Sequence, residues 1–317
     1  MSINAENTAN AVNSKLERLM PFLSPFGVLL GFLLSGVFIH LRPFVPWIFG
    51  IITLSGVLRI RAVEFLGAAR SPLPILAFFV SCHVLMPLIV MHVSSFFFSA
   101  DPDTVTGYVL VFSAPTAASG IIWVLIFRGD KAFCLTLILI DTLLAPLVVP
   151  GTVSLLMGTK VAMSMSSIAF SLFLMIVLPT IIGITINEAS RGKIPALICP
   201  YINPAAKISL ILVIASNAAP IASKVRFDDP KVWGIAALCI VFSAGGFLLS
   251  RLFAGIVRCN PEKSVSMLIS GGMRNITAVT TVAVTFFPEA AVLPSLLSIL
   301  FQHSVAALMG KLMSRKK

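Results

Sequence analysis

Long apolar runs, separated by short polar links, follow one another along almost the whole chain. They fall at roughly 22–41, 43–58, 72–96, 105–127, 132–157, 162–186, 201–222, 232–257, 264–286 and 290–312, and about 20 residues suffice for a helix to cross the hydrocarbon layer. The run 43–58 is short, so its helix would tilt little or thin the bilayer locally. Runs of this length exceed buried strands, and the alternation expected of a membrane barrel is absent. The pattern predicts an all-α integral membrane protein of about ten transmembrane helices.

The stretch Met1–Met20 is polar, includes Glu6 and Glu17, and has neither a basic start nor a small-residue cleavage site. It does not read as a signal peptide. Val12, Leu16, Leu19 and Met20 share one helical face, which suits a short interfacial helix leading into the first span.

Composition excludes a water-soluble body. Hydrophobic residues make up 58% of the chain and charged residues 11%, against about 25% charged in a soluble domain. The five cysteines (Cys82, Cys134, Cys199, Cys239, Cys259) are odd in number and show no metal spacing, so neither a disulfide framework, a metal site nor a cofactor is expected; they read as small hydrophobes. The net charge of +11 is spread over short links rather than gathered in one patch, which argues for a lipid bilayer and against a nucleic acid as partner.

That spread sets an orientation. With the N-terminus inside, cytoplasmic segments hold sixteen of the 23 Lys and Arg and outer loops five, with Lys207 near an inner span end and Arg274 within a span. This is the positive-inside bias. It places both termini in the cytoplasm of a multi-pass protein, with the plasma (inner) membrane as its expected location, and requires an even number of spans.

Ten spans divide near residue 160 into two halves of five, 1–160 and 161–317. Five is odd, so the second half must enter the membrane inverted. Each half carries an interruption in its fourth span: Ser113-Ala114-Pro115-Thr116-Ala117-Ala118-Ser119-Gly120 in one, Ser270-Gly271-Gly272-Met273-Arg274-Asn275 in the other. Broken helices at matching places of inverted halves point to a transporter's binding site. An interruption frees carbonyls and amides that lipid cannot satisfy, so it should line an enclosed, wet cavity. Half-helix N-termini there suit an anion. Pro115, Thr116, Ser119, Gly120, Ser270, Gly271, Gly272, Arg274 and Asn275 are therefore the expected substrate-binding residues. The competing reading is a pair of kinks used for packing alone.

Asp141 is the carboxylate deep in a span and Arg274 the cation near a span's middle. Burying either costs on the order of 2.5–3.5 kcal/mol, so the two are expected to approach one another or share a water-filled cavity. They form either a charge pair that switches during transport or a static salt bridge. His83 and His303, the latter beside Gln302, suit proton relay or structural hydrogen bonding. Ser216, Asn217, Thr136 and Thr142 default to interhelical hydrogen bonds, and Lys207 to snorkelling.

At these breaks the sequence resembles the bile acid:sodium symporter family. The residues that carry the likeness are Ala114-Pro115 through Arg128-Gly129-Asp130, Thr142-Leu143-Leu144-Ala145-Pro146, Gly272-Met273 with Asn275, and Pro288, Leu293-Pro294 and His303. The resemblance implies a panel domain from spans 1, 2, 6 and 7, a core domain from spans 3, 4, 5, 8, 9 and 10, and broken helices 4 and 9 crossing at mid-membrane. It also brings out departures. Where sodium-using members carry Glu-Thr-Gly-X-Gln-Asn at the ninth-helix break, this chain has Ser270 for the Glu, Gly271 for the Thr and Arg274 for the Gln. Ile121, Cys82, Cys134 and Ile138 stand where the family places polar sodium ligands, and Asp141 where it has a small hydroxyl residue. A guanidinium in place of a sodium ion repels that ion by several kcal/mol at ~4 Å, even at an effective dielectric near 20.

The resulting expectation is a secondary transporter of a small-molecule organic anion, working by alternating access without sodium. It would be a uniporter, an exchanger, or proton-coupled through Asp141 or His83. Two alternatives stay open: a transport-inactive homologue acting as a membrane sensor or scaffold, and a sodium-coupled symporter with a remodelled ion site. An intramembrane enzyme finds no support, for the chain has no HExxH, GxSxG or paired carboxylates. Substrate identity and oligomeric state do not follow from the sequence.

Overall fold

A computed structural model describes residues 13, 16, 19–61, 71–158 and 164–314. The interfacial helix expected over Met1–Met20 lies mostly outside these residues. Regular structure among the described residues is helical throughout: α1 (Met20–Leu33), α2 (Val45–Val57), α3 (Pro72–Phe97), α4 (Pro102–Ser113), α5 (Gly120–Ile126), α6 (Lys131–Met157), α7 (Met165–Ala189), α8 (Lys193–Ala218), α9 (Pro230–Ile256), α10 (Pro261–Gly272), α11 (Ile276–Phe286) and α12 (Glu289–Ser314). Seven helical stretches among them are long and apolar enough to cross a membrane, while Phe22–Leu33 and Ile276–Phe286 are apolar but shorter. Large apolar side chains stay exposed on the outer faces, with Leu155 at 84% and Phe96 at 81%. Water would not tolerate so much apolar surface; lipid does. The chain is an all-α, multi-pass integral membrane protein.

The chain falls into two compact units. One comprises the described residues of Met1–Ala62 and Leu172–Ser223. The apolar run 22–41 is not one helix here: α1 breaks at Leu34 (φ −118°, ψ 37°), and a 3-10 stretch Ile39–Phe44, containing Pro43, turns the chain into α2. Gly27 and Gly31 share one face of α1 and lie against Ile214 and Ala215 of α8, the two helices running parallel. A Cβ on Gly31 would stand 2.4 Å from the Ala215 carbonyl, the close approach that small residues four apart allow membrane helices. α2 returns antiparallel to α8, with the Ser55 hydroxyl donating to Asn203 at 2.9 Å. In α7, Pro179 has no N–H for the Met175 carbonyl, a π-helical stretch Phe173–Val177 forms there, and the Thr53 hydroxyl donates to that carbonyl at 2.9 Å.

The other unit comprises the described residues of Val63–Ser171 and Lys224–Lys317. Several of its helices start on side-chain caps: Asp101 accepts from the Thr104 amide, Asp130 from that of Phe133, and Asn260 from that of Lys263. α4 and α5 run parallel to α12, as the neighbours Gly107–Ala291, Trp123–His303 and Phe127–Gly310 show. α10 runs antiparallel to α9. Helix α3 carries a π-helical stretch, Val80–Leu85, just before Pro87, which denies an amide to the His83 carbonyl.

Candidate functional site

In this second unit the fourth and ninth apolar runs are each a pair of half-helices, α4 with α5 and α10 with α11. The sequence alone accounts for both breaks. Pro115 removes an N–H and biases Ala114 out of the helical region (ψ 147°). Gly271-Gly272 end α10 before Met273, which is extended at ψ 96°.

The two broken segments pair with each other. Thr116 and Arg274 form an isolated antiparallel bridge, in which the Ala117 amide donates to the Met273 carbonyl at 2.8 Å and the Asn275 amide to the Pro115 carbonyl at 2.7 Å. Further amides at the breaks find side chains. Thr116 donates its amide and its hydroxyl to Asp141 Oδ2, at 2.8 and 2.7 Å. The Arg274 amide donates to Gln302 Oε1 at 2.8 Å, and Asn275 caps α11 by accepting from the Ala278 amide. Protein groups satisfy these freed amides, which is one of the two ways a membrane tolerates non-helical chain.

Asp141, fully buried on α6, and Arg274, 2% exposed, come together around Thr116 but make no ion pair with one another. The guanidinium reaches past the threonine: Nη1 donates to the Ala114 carbonyl at 3.1 Å and Nη2 to the Cys82 carbonyl at 3.2 Å, while buried Nε has no partner. His83 completes the cluster. Its Nε2 lies 2.8 Å from Asp141 Oδ1, in a direction that is not that of an aligned hydrogen bond, and its Nδ1 has no partner. The ring stacks on Phe79.

The other expected site residues divide by environment. Ser119 and Asn275 are half-buried, whereas Pro115, Thr116, Gly120, Ser270, Gly271 and Gly272 are buried. Ser270 is fully buried, its hydroxyl 3.5 Å from Cys134 Sγ and its carbonyl accepting from the Thr116 hydroxyl. Gly271 and Gly272 face α9, where a Cβ would stand 1.9 Å from the Ser250 hydroxyl and 2.2 Å from the Phe247 ring. These two glycines serve helix packing. His303 stands apart from the charged cluster, accepting at Nδ1 from the Trp123 indole at 3.4 Å.

Sequence reading passed over three contributors. Gln302 was noticed only as a neighbour of His303, yet an uncharged amide inside a span was signal enough to look for a backbone partner. The Cys82 carbonyl carried no signal at all. Thr116 as the element shared by both charges could be found only once the two breaks were known to meet.

The family model described as Sodium Bile acid symporter family matches residues 45–225. Among similar proteins, YbaS of Bacillus subtilis is 36% identical over 297 residues, covering 93% of this chain and 97% of that protein. A second Bacillus subtilis protein, named as the sodium-dependent transporter YocS, is 21% identical over 90% of this chain and 88% of its own. An Arabidopsis thaliana chloroplast protein named as a "probable sodium/metabolite cotransporter", BASS3, is 24% identical over 82% of this chain and 59% of its own.

Proposed function

Since the chain belongs to the sodium bile acid symporter family, a family of membrane transporters of small molecules and not of enzymes, we propose that it is a secondary carrier of an organic anion working by alternating access without sodium. The observation that carries this reading is Arg274. A fixed cation sits at the crossing of the two broken segments, where the resemblance would place an ion-binding glutamine, with its guanidinium held by the Ala114 and Cys82 carbonyls. An internal cation beside half-open Ser119 and Asn275, at the start of α11, favours an anionic solute and disfavours Na⁺. YocS and BASS3 are named for sodium; the coupling proposed here departs from theirs.

The division into two units supports a panel built from spans 1, 2, 6 and 7 and a core built from the rest. The matched position of the two breaks supports ten crossings in two inverted repeats. The basic bias of alternate links supports a plasma-membrane protein with both termini cytoplasmic.

The test is uptake by proteoliposomes of two labelled organic anions of different size, pyruvate and taurocholate, with and without an inward sodium gradient. Uptake indifferent to sodium is the expected result. Sodium-driven uptake contradicts the coupling and favours a remodelled ion site. No uptake of either anion favours a transport-inactive sensor or scaffold.

A further inference from the structure

The charged cluster holds a group that the carrier reading leaves unused. Asp141 and Arg274 together are neutral, and each has partners that fix it: Thr116 for the carboxylate, two carbonyls for the guanidinium. His83 is different. Its side chain is 7% exposed, and neither ring nitrogen has an aligned hydrogen bond, although Nε2 stands 2.8 Å from a carboxylate oxygen. Nδ1 lacks a partner whether the ring is neutral or protonated, so the choice between a neutral imidazole and a protonated one is made at Nε2. A protonated one gains the attraction of the Asp141 carboxylate, which needs no particular angle because Coulomb forces are not directional.

We propose that His83, with Asp141 as its counter-ion, is a proton-binding site of this protein. This rests on the proposed carrier reading for its use in transport, though not for its existence. Without the added proton the trio His83, Asp141 and Arg274 sums to zero; with it, the sum is +1. One bound monoanion returns the loaded site to zero. A low-dielectric path penalises net charge, so the state carrying both proton and anion and the state carrying neither are the ones that cross readily. The site thus couples one proton to each monoanion moved.

The groups that could compete for this role face elsewhere or are already in the cluster. From α6, Asp141 meets the ring; from the crossing, Arg274 meets the carbonyl of the preceding residue, Cys82. α9 contributes the neutral Ser250 hydroxyl, in contact with Ser81 and Cys82, and points Cys239 to the Pro294 carbonyl. α4 sends its phenol, Tyr108, to the Ile235 carbonyl. Further along α3, His92 Nδ1 contacts its own helix at Leu88. The π-helical stretch Val80–Leu85 holds His83 within the turn that faces the carboxylate.

The experiment needs no substrate. The full chain is labelled with ¹⁵N only at its four histidines, placed in lipid, and followed by solid-state NMR as pH is varied, with His83→Gln assigning the signal. The expected result is a reversible change of the His83 ring from neutral to doubly protonated as pH is lowered, with Asp141→Asn leaving it neutral across the range tested. A His83 ring that keeps one protonation state throughout in the wild type, or titrates unchanged in Asp141→Asn, overturns the proposal. If Asp141→Asn does not fold, the wild-type titration and the ¹³C–¹⁵N dipolar coupling between the Asp141 carboxyl and the His83 ring decide it; a static ring or absent coupling counts against. The carrier reading fails separately: a titrating His83 in a protein that takes up neither pyruvate nor taurocholate keeps the proton site and removes the carrier.

Discussion

Thr116 pairs with Arg274 in a single antiparallel bridge at the point where both of their spans lose helical structure. Asp141 takes the amide and hydroxyl of the first residue, and the guanidinium of the second reaches past it to the Ala114 carbonyl. Two opposite charges are thereby tied to one turn of backbone without touching. Both charges thus help to hold the two broken segments together.

Thr116→Val should separate the hydroxyl from the shape of the side chain. Losing a hydrogen bond to a buried carboxylate costs about 1.5–3 kcal/mol, while Thr116→Ser retains it. The apparent melting temperature in detergent, at one fixed scan rate, should fall by several degrees more for Val than for Ser. Equal values would remove the hydroxyl from the account.

Asp141→Asn should destabilise strongly, by about 3–5 kcal/mol, because it leaves the Arg274 guanidinium as an uncompensated buried charge, and Arg274→Gln should cost less, because a protonated His83 can balance Asp141. The double variant should lose less than the two singles combined. Strict additivity in the same melting assay would mean that the charges do not sense one another through Thr116.

Much of this was legible from the chain. Apolar run lengths gave the membrane class, and Pro115 and Gly271-Gly272 marked both breaks, because proline and glycine act on the backbone locally. What was not legible depended on pairing in space. The sequence showed Asp141 and Arg274 as lone charges in apolar surroundings, a pattern that implies partners without naming them. It suggested that the two approach one another or share a wet cavity; they do approach, and the means, a shared threonine and the carbonyls of Ala114 and Cys82, could not be read from the chain. Gly271 and Gly272 read as site residues because glycine serves both ligand approach and helix approach; the helix approach became visible only with Phe247 and Ser250 on the facing helix.

Gly272→Ala should accordingly act through packing. Its new methyl would stand 2.2 Å from the Phe247 ring, an overpacking that costs about 1–3 kcal/mol. Adding Phe247→Leu should recover part of the loss in folded yield and melting temperature. If the second change worsens the first, the glycine has another role.

Outside the spans, Asp101 offers a pH test. Burial alone would push its carboxyl up, but the Lys231 ammonium and the Thr104 amide and hydroxyl outweigh this and hold it below the ordinary aspartate value. A carboxyl lowered on folding adds stability above its unfolded value, lost as pH falls through the folded one. Since the Lys231 side chain is 44% exposed, the charge contributes no more than about 1 kcal/mol. Asp101→Asn keeps a capping oxygen, so it should melt slightly below wild type at neutral pH, with the gap closing as pH drops below about 4. A gap unchanged by acid would place the effect in packing rather than charge.

In the proposed carrier a guanidinium takes the place of an alkali ion where the two broken segments meet, and ²²Na⁺ binding to the purified full chain by scintillation proximity tests this without a substrate. No saturable binding above that of empty detergent micelles is expected, in the presence or absence of pyruvate. Saturable ²²Na⁺ binding to the wild-type chain would contradict it.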